Sequence, residues 1–150
     1  MEWLYQAVCG FIATMGIAVT FKAPQKSLIH VGLVGAIGWM TYYILIQAMF
    51  DAVPASFAGA FAVAILAHAL ARLYKMPMTV FSVAGIIPLV PGGLAYEAMR
   101  AIVLNKYLES LQFATRAGIL TGAIVMGLVF AEVFFQLINS LRQKSQHPPT

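Results

Sequence analysis

Five windows of this chain run without a single Lys, Arg, Asp or Glu: Trp3–Phe21, Ser27–Phe50, Ala52–Ala71, Met76–Tyr96 and Ala117–Ala131. A bilayer crossing takes roughly 20 mostly apolar residues, with a range of about 17 to 25. The last window is short by itself and reaches about Ser140 once Glu132 is admitted. A composition of 61% hydrophobic and 9% charged residues fits no ordinary soluble domain. The windows and their short connectors use almost the whole sequence. The expected fold class is therefore an all-α integral membrane protein, one membrane domain over residues 1–150. About five transmembrane helices are predicted, near 3–21, 28–50, 53–71, 77–104 and 117–140, with a short mobile tail at 141–150. The first window is read as a retained span rather than a secretory signal, because Glu2 stands where a positive n-region belongs and no small-x-small pattern precedes Lys22. Cys9, the single cysteine, excludes an intrachain disulfide.

The fourth window contains a contradiction. Pro88-Leu89-Val90-Pro91-Gly92-Gly93 lies inside it, and no helix passes two prolines three apart undisturbed. Each proline lacks a backbone N–H and clashes with the carbonyl four residues back, so Ala84 and Ile87 lose their helical partners. Ile87 and Val90, each preceding a proline, are pushed toward extended conformations. Glycine follows twice, where the backbone is freest. Polar backbone released at bilayer depth is tolerated only beside protein or a wet cavity. The fourth span is thus predicted to be a broken helix that builds a site.

Around it the connectors are short and basic. With five crossings, Lys22, Lys26, Arg72, Lys75, Arg142 and Lys144 fall on one side, and Arg100, Lys106 and Arg116 on the other. The positive-inside rule then puts the N-terminus outside and the tail in the cytoplasm. The net charge of +4 is explained by these connectors and calls for no nucleic-acid partner. Residues from about 105 to 116 are polar enough to lie at the interface. Gly118 and Gly122, then Gly127 and Ala131, form a small-residue seam suited to close helix packing.

Several residues could bear chemistry. A half-helix starting at Gly92–Gly93 would present unpaired N–H groups and the positive end of its dipole, the arrangement that holds anionic groups in secondary transporters. On it, Gly93, Tyr96 and Arg100 stand at i, i+3 and i+7 and share a face. Tyr96 can donate to a carboxylate, and Arg100 lies further toward the interface; Glu97 and Arg100, three apart, can equally pair with each other. Glu132 is the acid well inside an apolar helix, where a charge costs about 2.5–3.5 kcal/mol on insertion scales. It should face the protein interior, be protonated or find a base, which makes it the candidate for proton coupling or substrate gating. The alternative is that it snorkels toward the nearby cytoplasmic end. His30 and His68 fall near the same side of the membrane. Such a pair can shuttle protons or bind a metal, and with no third ligand in view the pattern suits interfacial packing better. No HExxH, CxxC, GxGxxG, Walker loop or GxSxG is present, so neither a cofactor nor an enzymatic reaction is expected.

The stretch FSVAGIIPLVPGGLAYEAM, from Phe81 to Met99, resembles the hallmark segment of the threonine/serine exporter family. The chain is most similar to the small subunit of its split, two-subunit (YjjP/YjjB-type) members, and the FKAPQKSL turn from Phe21 to Leu28 agrees. The resemblance implies a multi-pass protein of the bacterial cytoplasmic (inner) membrane that works with a larger membrane subunit. It implies export of small carboxyl-bearing metabolites: threonine and serine for single-chain relatives, succinate for the split type. Pro88, Pro91, Gly92 and Tyr96 carry over as motif positions. The expected function is a subunit of a secondary-active exporter. The alternatives are a non-transporting assembly subunit, or a small channel formed by self-association into a homo-oligomer.

Overall fold

The computed structural model describes residues 2–146, and the side chains of all of these except Lys26 and residues 141–146. Six helices follow one another: α1 (Glu2–Thr20), α2 (Leu28–Gln47), α3 (Ala52–Tyr74), α4 (Met78–Ile86), α5 (Gly92–Val103) and α6 (Tyr107–Gln146). Short 3-10 turns at Gln25–Ser27 and Ile87–Leu89 precede α2 and follow α4. Helices α1, α2, α3 and α6 are each long and apolar enough to cross a membrane, and α4 with α5 makes a fifth span bent by 54°. The protein is thus an all-helical, multi-pass membrane protein with a broken fourth span.

Four of the helices end in the same way. Lys22, Met49, Lys75 and Asn105 each adopt a left-handed conformation (φ 52–65°) within two residues of the ends of α1, α2, α3 and α5. The following N–H then reaches back five residues, as Ala23 to Ala18 and Phe50 to Leu45, and as Met76 to Ala71 and Lys106 to Ala101. This closure satisfies carbonyls that a helix end leaves open. Pro24 and Pro77 follow two residues after two of these turns and forbid continuation. Asp51 starts α3 by accepting the N–H of Ala52 at 2.8 Å.

Packing rests on small residues. Helix α4 is inserted between α2 and α3, where Ser82, Ala84 and Gly85 are buried. A Cβ at Gly85 would stand 2.8 Å from Val34 and 2.9 Å from Val63, so only glycine lets the three helices meet there. One core cluster joins Ala18, Val31, Ala67, Phe81 and Ala84, and a second joins Val34, Ala60, Val63, Leu89 and Ile124. Between α1 and α2, Trp39 Nε1 donates to Gln6 at 2.9 Å. Apolar surface is not driven out of lipid as it is out of water, so such close contacts and hydrogen bonds carry the association.

Helices α3 and α6 run parallel: Phe57 meets Phe130, His68 meets Glu132 and Arg72 meets Asn139. The bent α4–α5 pair therefore carries the chain from one end of the bundle to the other rather than turning back. Residues 105–116 are not a separate interfacial segment. All but the first two belong to α6, whose 40 residues reach about 60 Å, twice the roughly 30 Å hydrocarbon thickness. Hydropathy marks where a helix can lie in lipid, not where it begins, and no proline or glycine interrupts 107–117. At the other end α6 continues to Gln146, six residues into the stretch assigned to the tail. Residues 147–150 lie outside the described residues, as do the side chains of Arg142 and Lys144 used in the charge count.

Candidate functional site

The break is built at four positions, Ile87, Pro88, Val90 and Pro91. Pro88 sits in the 3-10 turn that ends α4, where its missing N–H is harmless. Ile87 was expected to be extended and is instead right-handed helical (φ −55°, ψ −38°), because the tighter turn accommodates the proline ring without unwinding it. Its carbonyl accepts the N–H of Val90 at 3.2 Å. Val90 is extended, as its position before Pro91 requires (φ −63°, ψ 129°). Pro91 (φ −75°, ψ 55°) is the centre of an inverse γ-turn, closed by Gly92 N–H on Val90 O at 2.7 Å.

Helix α5 starts there. Ala95 N–H returns to Pro91 O at 3.2 Å, which leaves the N–H groups of Gly93 and Leu94 without backbone partners among the described residues. Neither glycine uses a positive φ, so conformational freedom is not what they provide. A Cβ at Gly92 or Gly93 would meet nothing within 4 Å. The helix start is open.

The rest of α5 rests on α6. Ala98 and Ala101 are buried, and Ser110 Oγ of α6 donates to Ala98 O at 2.9 Å. Gly93, Tyr96 and Arg100 are all exposed on another face, Tyr96 at 65%. Arg100 Nη1 lies 3.3 Å from Glu97 Oε2, an exposed pair of small energetic worth. The structure thus brings Pro88, Pro91, Gly92, Gly93 and Tyr96 to one open helix start, with Arg100 two turns along. A cavity of about 310 Å³ lies elsewhere, between the Phe21–Pro24 turn and the first turns of α4.

Glu132 is not part of this group. Its Oε2 meets His68 Nε2 at 3.0 Å across α3 and α6, and Gln136 Nε2 donates to its Oε1 at 3.3 Å. The two histidines read together from sequence are separated, since His30 Nε2 bonds the Tyr74 hydroxyl at 2.6 Å on the α2 side of α3. His68, read from the sequence with His30, is instead the partner of Glu132, a pairing hidden in the sequence because the two residues lie 64 apart.

The family described as "Threonine/Serine exporter, ThrE" matches residues 6–134. An uncharacterized protein of Haemophilus influenzae is 27% identical over 143 residues, covering 90% of this chain and 48% of that protein. The chain spans about half the length of that curated relative. No solved structure matches it. The family is one of transporters, and the matched region holds all of α4, the break and α5: the chain belongs to the threonine/serine exporter family.

Proposed function

We propose that this chain is one half of a two-component secondary exporter in the bacterial cytoplasmic membrane. Its substrates are small carboxyl-bearing metabolites, either a succinate-like dicarboxylate or threonine and serine. Its partner is a larger membrane subunit supplying what the longer relative carries in its other half. A substrate carboxylate is held at the start of α5 by the N–H groups of Gly93 and Leu94 and by the Tyr96 hydroxyl. Arg100 adds positive charge along the same face. Hydrogen bonds to a carboxylate are strong because the acceptor is charged, and the helix dipole adds to them.

The observation that carries this reading is the pair of open glycines. Glycine in a helix interior costs up to about 1 kcal/mol relative to alanine, and among the described residues a Cβ at 92 or 93 meets nothing within 4 Å. What requires it lies beyond the chain, and a ligand or partner approaching the backbone supplies that reason. Alternating access then follows from the α5–α6 hairpin moving about the break while α4 stays wedged in the bundle.

The test is efflux of labelled succinate, threonine and serine from cells expressing this chain with the larger subunit. Gly92→Leu should lower efflux about tenfold, equivalent to ~1.4 kcal/mol, and Tyr96→Phe should lower it several-fold. Unchanged efflux at wild-type protein levels would remove the site. A second reading, assembly without transport, is favoured by Gly118 and Gly122, where an added Cβ meets nothing within 4 Å. Flux in liposomes holding both purified subunits separates the two.

A further inference from the structure

We propose that His68 and Glu132 form one proton-carrying unit, loaded and unloaded as α3 and α6 move against each other, through which export draws on a proton gradient. The inference rests on the exporter reading. It begins from a fit that neither helix explains alone. Gly127 brings α6 so close to α3 that a Cβ there would stand 2.5 Å from Phe57 O. Ala60 Cβ lies 3.1 Å from the same position, and Ala64 of α3 and Ala131 of α6 are fully buried. This narrow approach delivers Glu132 to His68 at 3.0 Å.

The surroundings hold the pair without discharging it. The imidazole stacks on Phe135 (4.4 Å between ring centres, 28°), and the Arg72 guanidinium lies over the same ring at 5.6 Å. Arg72 is itself bonded to Asn139. Its charge is therefore near the pair and makes no ion pair with Glu132 among the described residues. Helix α4 carries no titratable residue, and α2 contributes His30, which bonds Tyr74 instead. The two ring nitrogens of His68 differ. Nε2 is engaged by Glu132, whereas Nδ1 has no protein partner among the described residues and is not sealed; the corresponding atom of His30 is buried with no partner.

The chemistry follows from that asymmetry. In the loaded form both ring nitrogens carry hydrogen, Nε2–H donates to Glu132 Oε2, and the pair is neutral overall. Unloading breaks the Nδ1–H bond. Its electron pair stays on Nδ1, the proton passes to water, and the pair is left with one negative charge. Charge in a low-dielectric contact shifts the balance between helix positions far more than charge in water. Loaded and unloaded forms therefore favour different placements of α6, and α6 carries α5 and its open helix start. A seam of this kind joins a titrating pair to the site without contact between them.

Two measurements test it. In the purified chain in liposomes, ¹⁵N-histidine magnetic resonance follows the His68 ring. The Nε2 signal should carry the hydrogen bond to Glu132, and Glu132→Gln should displace it. In liposomes holding both subunits, a pH gradient should stimulate efflux of labelled succinate, threonine or serine. Glu132→Gln and His68→Asn should lose at least about tenfold of that stimulation while retaining gradient-free exchange, which also reports that the variants are folded. Retained stimulation in both variants, or a His68 Nε2 signal unmoved by Glu132→Gln, overturns the proposal. Exchange without gradient stimulation in the wild type removes this inference alone; no exchange at all removes the exporter reading and this inference with it.

Discussion

Leu89 occupies the space that a side chain at Gly59 would need: a Cβ built on Gly59 would stand 2.5 Å from Leu89 Cδ2. The same leucine lies 3.4 Å from the position of a Cβ on Gly38, so it is seated in a notch between α2 and α3. It is also the last residue of the 3-10 turn, directly before Val90 and Pro91. One buried side chain thus pins the break to the rigid part of the bundle.

Filling that notch should loosen the break. Gly59→Val adds volume against Leu89 and, at 3.0 Å, against the backbone carbonyl of Gly38, which cannot rotate away. Overpacking of this kind costs about 1–3 kcal/mol. The expected result is a lower unfolding temperature in detergent, with faster hydrogen exchange at 90–95 than in α1.

The glycines of α6 separate into two kinds. Gly127 faces backbone, Phe57 O at 2.5 Å and Phe61 N at 3.1 Å, whereas Gly118 and Gly122 face open space. Gly127→Ala should force α3 and α6 apart, cost about 1–3 kcal/mol and lengthen the His68–Glu132 contact. Gly118→Ala and Gly122→Ala should leave the chain as stable or slightly more so, since alanine is the better helix former. Thermal unfolding of the three variants in one detergent decides it. Equal losses at all three positions would contradict the packing described.

Sequence and structure agree where local physics decides. Charge-free windows located α1, α2 and α3 to within a few residues, because a membrane span advertises itself by length and composition. Two prolines located the break, because a missing N–H is a local fact. Long-range partners were not legible. Glu132 announced that it needed a base, but His68 lies 64 residues earlier, and only the parallel stacking of α3 on α6 selects it over His30. The role of Gly92 and Gly93 was legible in position and not in cause. Their openness, rather than a left-handed backbone, emerges only once the neighbours are in place.

Ser110 makes the bond that ties α5 to α6. It is 6% exposed, and its hydroxyl donates to Ala98 O at 2.9 Å. Interhelical hydrogen bonds in membranes average about 0.6 kcal/mol. Ser110→Ala should therefore cost that order in stability and leave the hairpin intact. Its clearer effect is expected in motion: a broader distance distribution between spin labels at Met99 and Ile119, with the α3–α6 distance unchanged.

Pro91 closes the γ-turn that starts α5, and alanine in its place would restore an N–H four residues from Ile87 O. The bend of 54° is then no longer enforced at this position, although Pro88 remains. Pro91→Ala should straighten the pair, read as a longer distance between labels on Thr79 and Val103. Efflux should fall several-fold while the protein stays folded. A variant that straightens and still exports at the wild-type rate would show that the bend is not part of the transport cycle.

The last prediction sets stability against function at one place. Alanine at 92 and 93 adds two Cβ atoms that meet nothing within 4 Å among the described residues, and each replaces a poor helix former with the best one. Gly92→Ala with Gly93→Ala should therefore raise stability by up to about 2 kcal/mol, visible as a higher unfolding temperature of the isolated chain. The same methyl groups stand over the N–H donors of Gly93 and Leu94 and keep a carboxylate from approaching. Efflux by the two-subunit complex should accordingly drop while the chain becomes harder to unfold. A stabilised variant that exports normally would mean that the glycines serve neither substrate nor partner. A destabilised one would mean that the start of α5 is packed more closely than its open surroundings indicate.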